Sequence, residues 1–349
     1  MREGFLLDPE VAYFNHGSFG ACPAEVFEEY QRLQLELERE PTELLARRFD
    51  ERMETARAAL ASFVGARVQD LVFAPNATAA LNAVIRSLRI RPNEEILTTK
   101  HEYGAILRTL GFIRANVVLV EPQELLANIG IRTRAIVVSH ITSPTAFVLP
   151  VEEVCEAARK AGILSIVDGA HAPGHIPLDI EAVGADVYAG NCHKWLCAPK
   201  GSGFLWARPE HQDWIEPVVI SWGYHEDAGF GERHGWQGTR DPAAYLAVPK
   251  AIEVHASFDL GRAKELADEA ERALAPYGPR PLRGERSPLM RTLTVRTADP
   301  AGLWRRLYDE HRVEVPVYEW EGTSLLRISI GPYNDEADVV RLAAAFRDL

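Results

Sequence analysis

The sequence predicts an α/β protein: a large domain with a mostly parallel sheet flanked by helices, plus a smaller α+β C-terminal domain. Two observations predict it. From Leu71 onward, short apolar runs alternate with helix-forming segments, the pattern of strands joined by crossover helices. Beyond Pro242 the alternation gives way to a mixed set of helices and strands. The expected division is a large domain over 16–241 and a small one over 1–15 and 242–349.

Residues 1–22 read as irregular. Pro23 suits the first turn of a helix, and Val26, Tyr30, Leu33 and Leu37 form one apolar stripe behind it. Pro41-Thr42-Glu43 opens a second helix running to about Val64. The expected strands of the sheet are Leu71–Ala74, Glu95–Thr98, Val117–Val120, Arg134–Ser139, Ile163–Val167, Asp186–Ala189 and Gly203–Trp206. Helices are expected at Asn76–Leu88, Tyr103–Arg114 and Val151–Ala161. Ser221 to Arg240, rich in Gly, His and Trp, suits a loop over a site. One long helix is expected from about Pro242 to Phe258. Leu293–Arg296, Val313–Tyr318 and Leu325–Ser329 read as strands, and Pro300–Glu310 and Glu336–Phe346 as helices.

Composition narrows the function. The 349 residues carry a formal net charge of −12 and no basic run, so the chain offers nucleic acid no electrostatic footprint. No 18-residue apolar stretch exists, and the N-terminus lacks the apolar core of a signal peptide. A cytoplasmic location, away from membranes, is expected. The four cysteines are too scattered for a disulfide framework, and none has zinc spacing with histidines, so no metal is expected.

The chemistry gathers at two points. Lys194 stands between His193 and Trp195, flanked by strands that read as buried. Desolvation lowers a lysine pKa, and a neutral amine attacks carbonyls. Upstream, the apolar run from Ile163 ends in Asp168. An acid at the carboxyl end of a buried parallel strand lies in the crevice where open α/β sheets bind ligands. That pairing suits pyridoxal phosphate (PLP): the lysine forms the Schiff base, and the carboxylate keeps the pyridine nitrogen protonated. Asn76 stands at a helix N-cap, so the amides of Ala77 and Thr78, with the Thr78 hydroxyl, are placed to receive a phosphate. Tyr103, at a strand end, can stack on the ring. Asn191 and His193 each suit phosphate donation, His193 being preferred. Pro199-Lys200-Gly201-Ser202-Gly203 reads as a turn into the next strand. Arg327, among apolar neighbours on a strand, requires a partner, either an internal carboxylate or a substrate's.

Seven stretches then appear in order: Asn15–Gly20, Pro75–Thr78, His101–Ala105, Asp168–His171, His193–Trp195, Gly238–Asp241 and Leu326–Ser329. Together they resemble the class V aminotransferase family of fold-type I PLP-dependent enzymes, and within it the isopenicillin N epimerase-like branch. The resemblance implies a PLP enzyme acting at the α-carbon of an amino acid or peptide-like amine. It implies Asn15 or His16 at the substrate, Tyr103 over the ring, and His171 near the ring oxygen. Ser143 stands where desulfurases carry asparagine, and can donate to the cofactor's phenolic oxygen or to substrate. Arg327 would hold the substrate α-carboxylate. Gly238 and Thr239 would reach the phosphate of the neighbouring subunit, which implies a homodimer. Cysteine desulfurases of the family carry a nucleophilic cysteine on a late loop; here Tyr318–Leu326 contains none. Epimerisation, transamination and direct C–S lysis remain open, as does a non-catalytic binding role.

Overall fold

The computed structural model describes residues 2–348. Seven segments form the central sheet: β1 (Leu71–Ala74), β2 (Glu95–Thr99), β3 (Asn116–Val120), β4 (Thr133–Ser139), β5 (Leu164–Gly169), β6 (Val187–Asn191) and β7 (Gly203–Ala207). Their order across the sheet is β1-β7-β6-β5-β4-β2-β3, and only β7 runs against the rest. The expected mostly parallel sheet is therefore present.

The central strands are mostly apolar because both faces are covered. Side chains alternate along each strand: Ile136 and Val138 enter one cluster, Ala135 and Val137 the other. The first cluster takes Leu60 from α2 (Phe49–Val64) and Val154 from α5 (Val151–Ala161). The second takes Leu81 from α3 (Ala77–Ser87) and Ile106 from α4 (Gly104–Phe112). Each fully buried aliphatic side chain contributes roughly 1.5–3 kcal/mol. A charge at Val137, fully buried with no partner, would cost more than several such contacts return.

A second, antiparallel sheet joins β8 (Met290–Thr294), β9 (Val317–Trp320) and β10 (Thr323–Ser329), with the short piece Arg280–Pro281 on its edge. A third apolar cluster, including Leu293, Leu326 and Leu342, packs around it.

Several expected elements differ. The second helix is broken: Glu43–Arg47 is a wide π turn, with the Arg48 amide reaching the Glu43 carbonyl, and α2 starts afresh at Phe49. Ser221–Arg240 is not all loop, since Phe230–Gly235 is helical and buries Phe230 and His234. The stretch after Pro242 forms two helices, Ala243–Leu246 and Val248–His255. Pro249 lacks an amide proton, and its ring opposes the Tyr245 carbonyl. The strand expected over Val313–Tyr318 is cut at Pro316: Val313–Glu314 pairs with Ala12–Tyr13, and β9 begins at Val317. A helix at Leu260–Leu274 was not expected; Asp259 caps it, accepting the Arg262 amide at 2.8 Å.

Parallel strands end on the same edge of a sheet. The register sets Ser139 beside Asp168, and Asp168 beside Ala189. Asp168 ends its strand there, and Lys194 follows the next strand on that edge.

Candidate active site

A cavity of about 390 Å³ opens at that edge. Asp168 and Lys194 both line it. The buried Asp168 carboxylate accepts the Ala170 amide at 2.9 Å, and burial raises its pKa while Ala170 and Lys194 oppose the rise. Lys194 follows β6. Its Nζ is 3.1 Å from His171 Nε2. Burial first, then the Arg327 charge, pushes the amine down to about 7 against the opposing pull of Asp168.

The lysine's backbone is braced from the far end of the chain. His16 Nε2 lies 3.0 Å from the Lys194 carbonyl, and its ring packs on Trp195 at 4.9 Å between centroids. Gly20 passes so close that a Cβ would stand 2.4 Å from the His193 carbonyl oxygen. Expected as substrate contacts, Asn15 and His16 do not line the cavity. The Asn15 amide turns to Glu314 at 2.9 Å, and His16 stands behind the lysine.

At one end of the cavity α3 begins. Asn76 caps it as expected, accepting the Ala79 amide at 2.8 Å. The Ala77 amide, expected to be free for phosphate, is instead given to Asn191 Oδ1 at 2.8 Å. Thr78 lines the cavity. His193 lines it too, but its Nδ1 proton goes to the Ser202 carbonyl at 2.8 Å. Burial holds that ring neutral, pushed down to about 4, so it offers an anion a second N–H only after taking up a proton. Lys200, read as a turn residue, lines the cavity and has no ion-pair partner among the described residues. Across the opening, Tyr103 is 45% exposed and presents its ring to the cavity.

Arg327 sits on β10, 5% exposed. One terminal nitrogen donates to the Ser143 carbonyl at 2.7 Å and its hydroxyl at 2.9 Å, the other to Ser18 Oγ at 2.6 Å. Its Nε has no partner. Among the described residues no carboxylate lies within ion-pair reach, so the internal salt bridge is absent. Ser18 and Ser143 line the cavity in front of it. Gly238 and Thr239 lie outside this cavity; Gly238 adopts a left-handed φ of 96° and Thr239 is exposed. Among the described residues no three metal-ligating side chains cluster, and no helix is long and apolar enough to cross a membrane.

The donor set fits pyridoxal phosphate: a carboxylate under the crevice, a low-pKa amine, an exposed aromatic face, and a helix start with a spare ammonium for an anion. Fold and site together define a PLP-dependent enzyme of fold type I.

The profile of the aminotransferase class-V family matches residues 21–342. Isopenicillin N epimerase of Streptomyces clavuligerus is 36% identical, with 99% of this chain and 96% of that protein covered. The epimerase of Amycolatopsis lactamdurans is also 36% identical, over 100% of this chain and 97% of its own. Among solved structures, a C-DES mutant with glycine covalently linked to its PLP cofactor superposes with a TM-score of 0.88 at 21% identity. That alignment covers 100% of this chain and 99% of that one. The chain belongs to the class V aminotransferase family.

Proposed function

We propose that this enzyme abstracts and returns the α-proton of an amino acid or small peptide-like amine, in the manner of an epimerase. The observation that carries the reading is the buried amine of Lys194, 3.1 Å from His171 Nε2 and pushed down to about 7, beside a carboxylate-free Arg327. Bound PLP supplies the electron sink for the charge left at the α-carbon. Lys194 anchors the cofactor, and once released it takes the α-proton. Asp168 holds a proton at the ring nitrogen. Tyr103 would stack on the cofactor's ring, and Ser143 and His171, which line the same cavity, would donate toward its phenolic oxygen. Thr78, Lys200 and a protonated His193 bind the phosphate, joined by Gly238 and Thr239 of a second copy in a symmetric homodimer. Arg327, pinned by Ser18 and Ser143, orients the substrate carboxylate with its remaining donor capacity. We place the protein in the cytoplasm.

A thiol mechanism finds no support. Burial pushes the thiols of Cys22 and Cys155 up to about 11, and those of Cys192 and Cys197 higher still. The test is to incubate candidate amino acids with the enzyme in heavy water, following exchange, chirality, keto acid and sulfide separately. Inverted, deuterated product is expected. Keto acid without inversion reassigns the enzyme to transamination, and pyruvate with sulfide to C–S lysis. No exchange with any substrate overturns catalysis at the α-carbon.

A further inference from the structure

Glu102 lies between β2 and α4, 3% exposed. Its Oε1 accepts two hydrogen bonds of 2.7 Å, from the Ser139 hydroxyl and from the Tyr103 amide. Its Oε2 is shut off from solvent and has no partner. Ser139 is the register neighbour of Asp168, so the hydroxyl that Glu102 holds belongs to the residue beside the ring-facing acid. Among the described residues no cation comes within ion-pair reach of Glu102. The nearby imidazoles are engaged elsewhere: His101 with Thr145 at 2.8 Å and toward Glu121 at 3.5 Å, His140 with the Tyr188 hydroxyl at 2.8 Å. Lys194, His171 and Arg327 act from the cavity side, where Lys194 favours the ionised form of Asp168.

Glu102 and Asp168 are both buried, and the Lys194 charge favours only Asp168, so the two cannot both ionise cheaply. The charge settles where a cation supports it, which is Asp168. An ionised Glu102 would bury charge on an oxygen that no donor reaches, and protonation of Oε2 removes that charge. We propose that Glu102 is a positioning residue for Asp168: it remains a neutral carboxylic acid, holding the one proton the pair retains, so that Asp168 meets the ring nitrogen as the anion. Its other oxygen meanwhile ties the Ser139 hydroxyl, beside Asp168, to the Tyr103 backbone. Burial and then the Asp168 charge push Glu102 up to about 8, in agreement. The inference rests on the reading that Asp168 partners the ring nitrogen.

The test compares wild-type holoenzyme with Glu102→Gln, which mimics the neutral acid, and Glu102→Ala, which removes it. Infrared spectroscopy of the wild type should show a protonated buried carboxyl at pH 7 that disappears above pH about 8 and is missing from Glu102→Gln. Glu102→Gln should bind PLP within about threefold of wild type and keep the protonated-ring absorbance, whereas Glu102→Ala should bind about tenfold or more weakly. The inference falls if the wild type has no protonated carboxyl at pH 7, or if Glu102→Gln keeps that band. It also falls if Glu102→Gln loses the protonated-ring spectrum at pH 7. The infrared measurement on wild type needs no variant to fold. Asp168→Asn, run alongside, separates the two readings: if it keeps the protonated-ring spectrum, the ring-partner assignment fails whatever Glu102 does.

Discussion

Trp195 donates its indole N–H to Nδ1 of His171 at 3.2 Å, and this bond turns the imidazole's own proton toward the neighbouring lysine. Indole nitrogen only donates, so Nδ1 must be an unprotonated acceptor. Burial holds the imidazole neutral, pushed well below its ordinary range, so its single proton sits on Nε2. That proton points to Lys194 Nζ at 3.1 Å and favours the free amine there. The residue after the lysine thus helps to keep it nucleophilic.

Trp195→Phe frees His171 to carry its proton on Nδ1 and turn a lone pair toward the lysine. The ammonium is then stabilised and the amine pKa rises from about 7. A raised lysine pKa moves the free amine to higher pH, tenfold less of it at neutral pH for each unit. Cofactor capture by wild-type apoenzyme should rise with pH and level off above about 7, and in Trp195→Phe the midpoint should move up by about one unit. Stopped-flow absorbance across pH reads it directly. An unmoved midpoint would show that the indole bond does not set the lysine's proton.

Parts of this site were legible because they are local. A strand-end acid and a strand-flanked lysine carry their signals within a few residues, and so does the Asn76 cap. Glu102 was not legible: nothing beside it in sequence says that it turns inward to Ser139, 37 residues on. The behaviour of Asn15 and His16 depends on the first loop crossing behind Lys194, a contact spanning 178 residues. Asn191 claims the Ala77 amide across 114 residues, which no capping rule anticipates. In the fold, the break at Pro249 is written locally, since a proline in a helix interior removes a donor and opposes the carbonyl four residues back. The Leu260–Leu274 helix hid because alanines supply three of its five buried residues: Ala263, Ala267 and Ala270 beside Leu266 and Leu274.

Asp168→Asn tests the ring partner. The side-chain carbonyl of asparagine can still accept the Ala170 amide, so local geometry should persist and cofactor should remain bound. A neutral amide cannot hold the pyridinium proton. Exchange of the substrate α-proton should fall by about 10² or more, equivalent to roughly 3 kcal/mol of lost transition-state stabilisation. Nuclear magnetic resonance in heavy water measures the rate, and near-normal exchange would remove Asp168 from this role.

Arg327→Leu tests the carboxylate anchor. Hydrogen bonds to a charged group contribute about 1.5–3 kcal/mol, so kcat/KM for an α-amino acid should fall by roughly 10 to 10², mostly through KM. The corresponding amino acid amide, which lacks the charge, should be much less affected. Equal losses for acid and amide would mean that Arg327 serves only to tie β10 to Ser18 and Ser143.

Lys200 separates cofactor retention from chemistry. Its ammonium shares the cavity with Thr78 and His193, and no acid neutralises it among the described residues. A phosphate dianion there would gain a charge-assisted contact and would raise the pKa of the His193 imidazole, turning it into a second donor. Because Lys200 is exposed, solvent screening limits the gain to about 1 kcal/mol, or roughly fivefold in affinity. Lys200→Gln should therefore bind PLP about fivefold more weakly at low salt, with the difference shrinking as salt is added. Borohydride reduction should still fix the cofactor on Lys194, and turnover at saturating cofactor should be unchanged. Fluorescence titration of apoenzyme at two ionic strengths, with peptide mapping of the reduced holoenzyme, checks all three. Attachment at Lys200 would reverse the assignment of the two lysines, and a salt-independent loss of affinity would mean that Lys200 supports the turn rather than the phosphate.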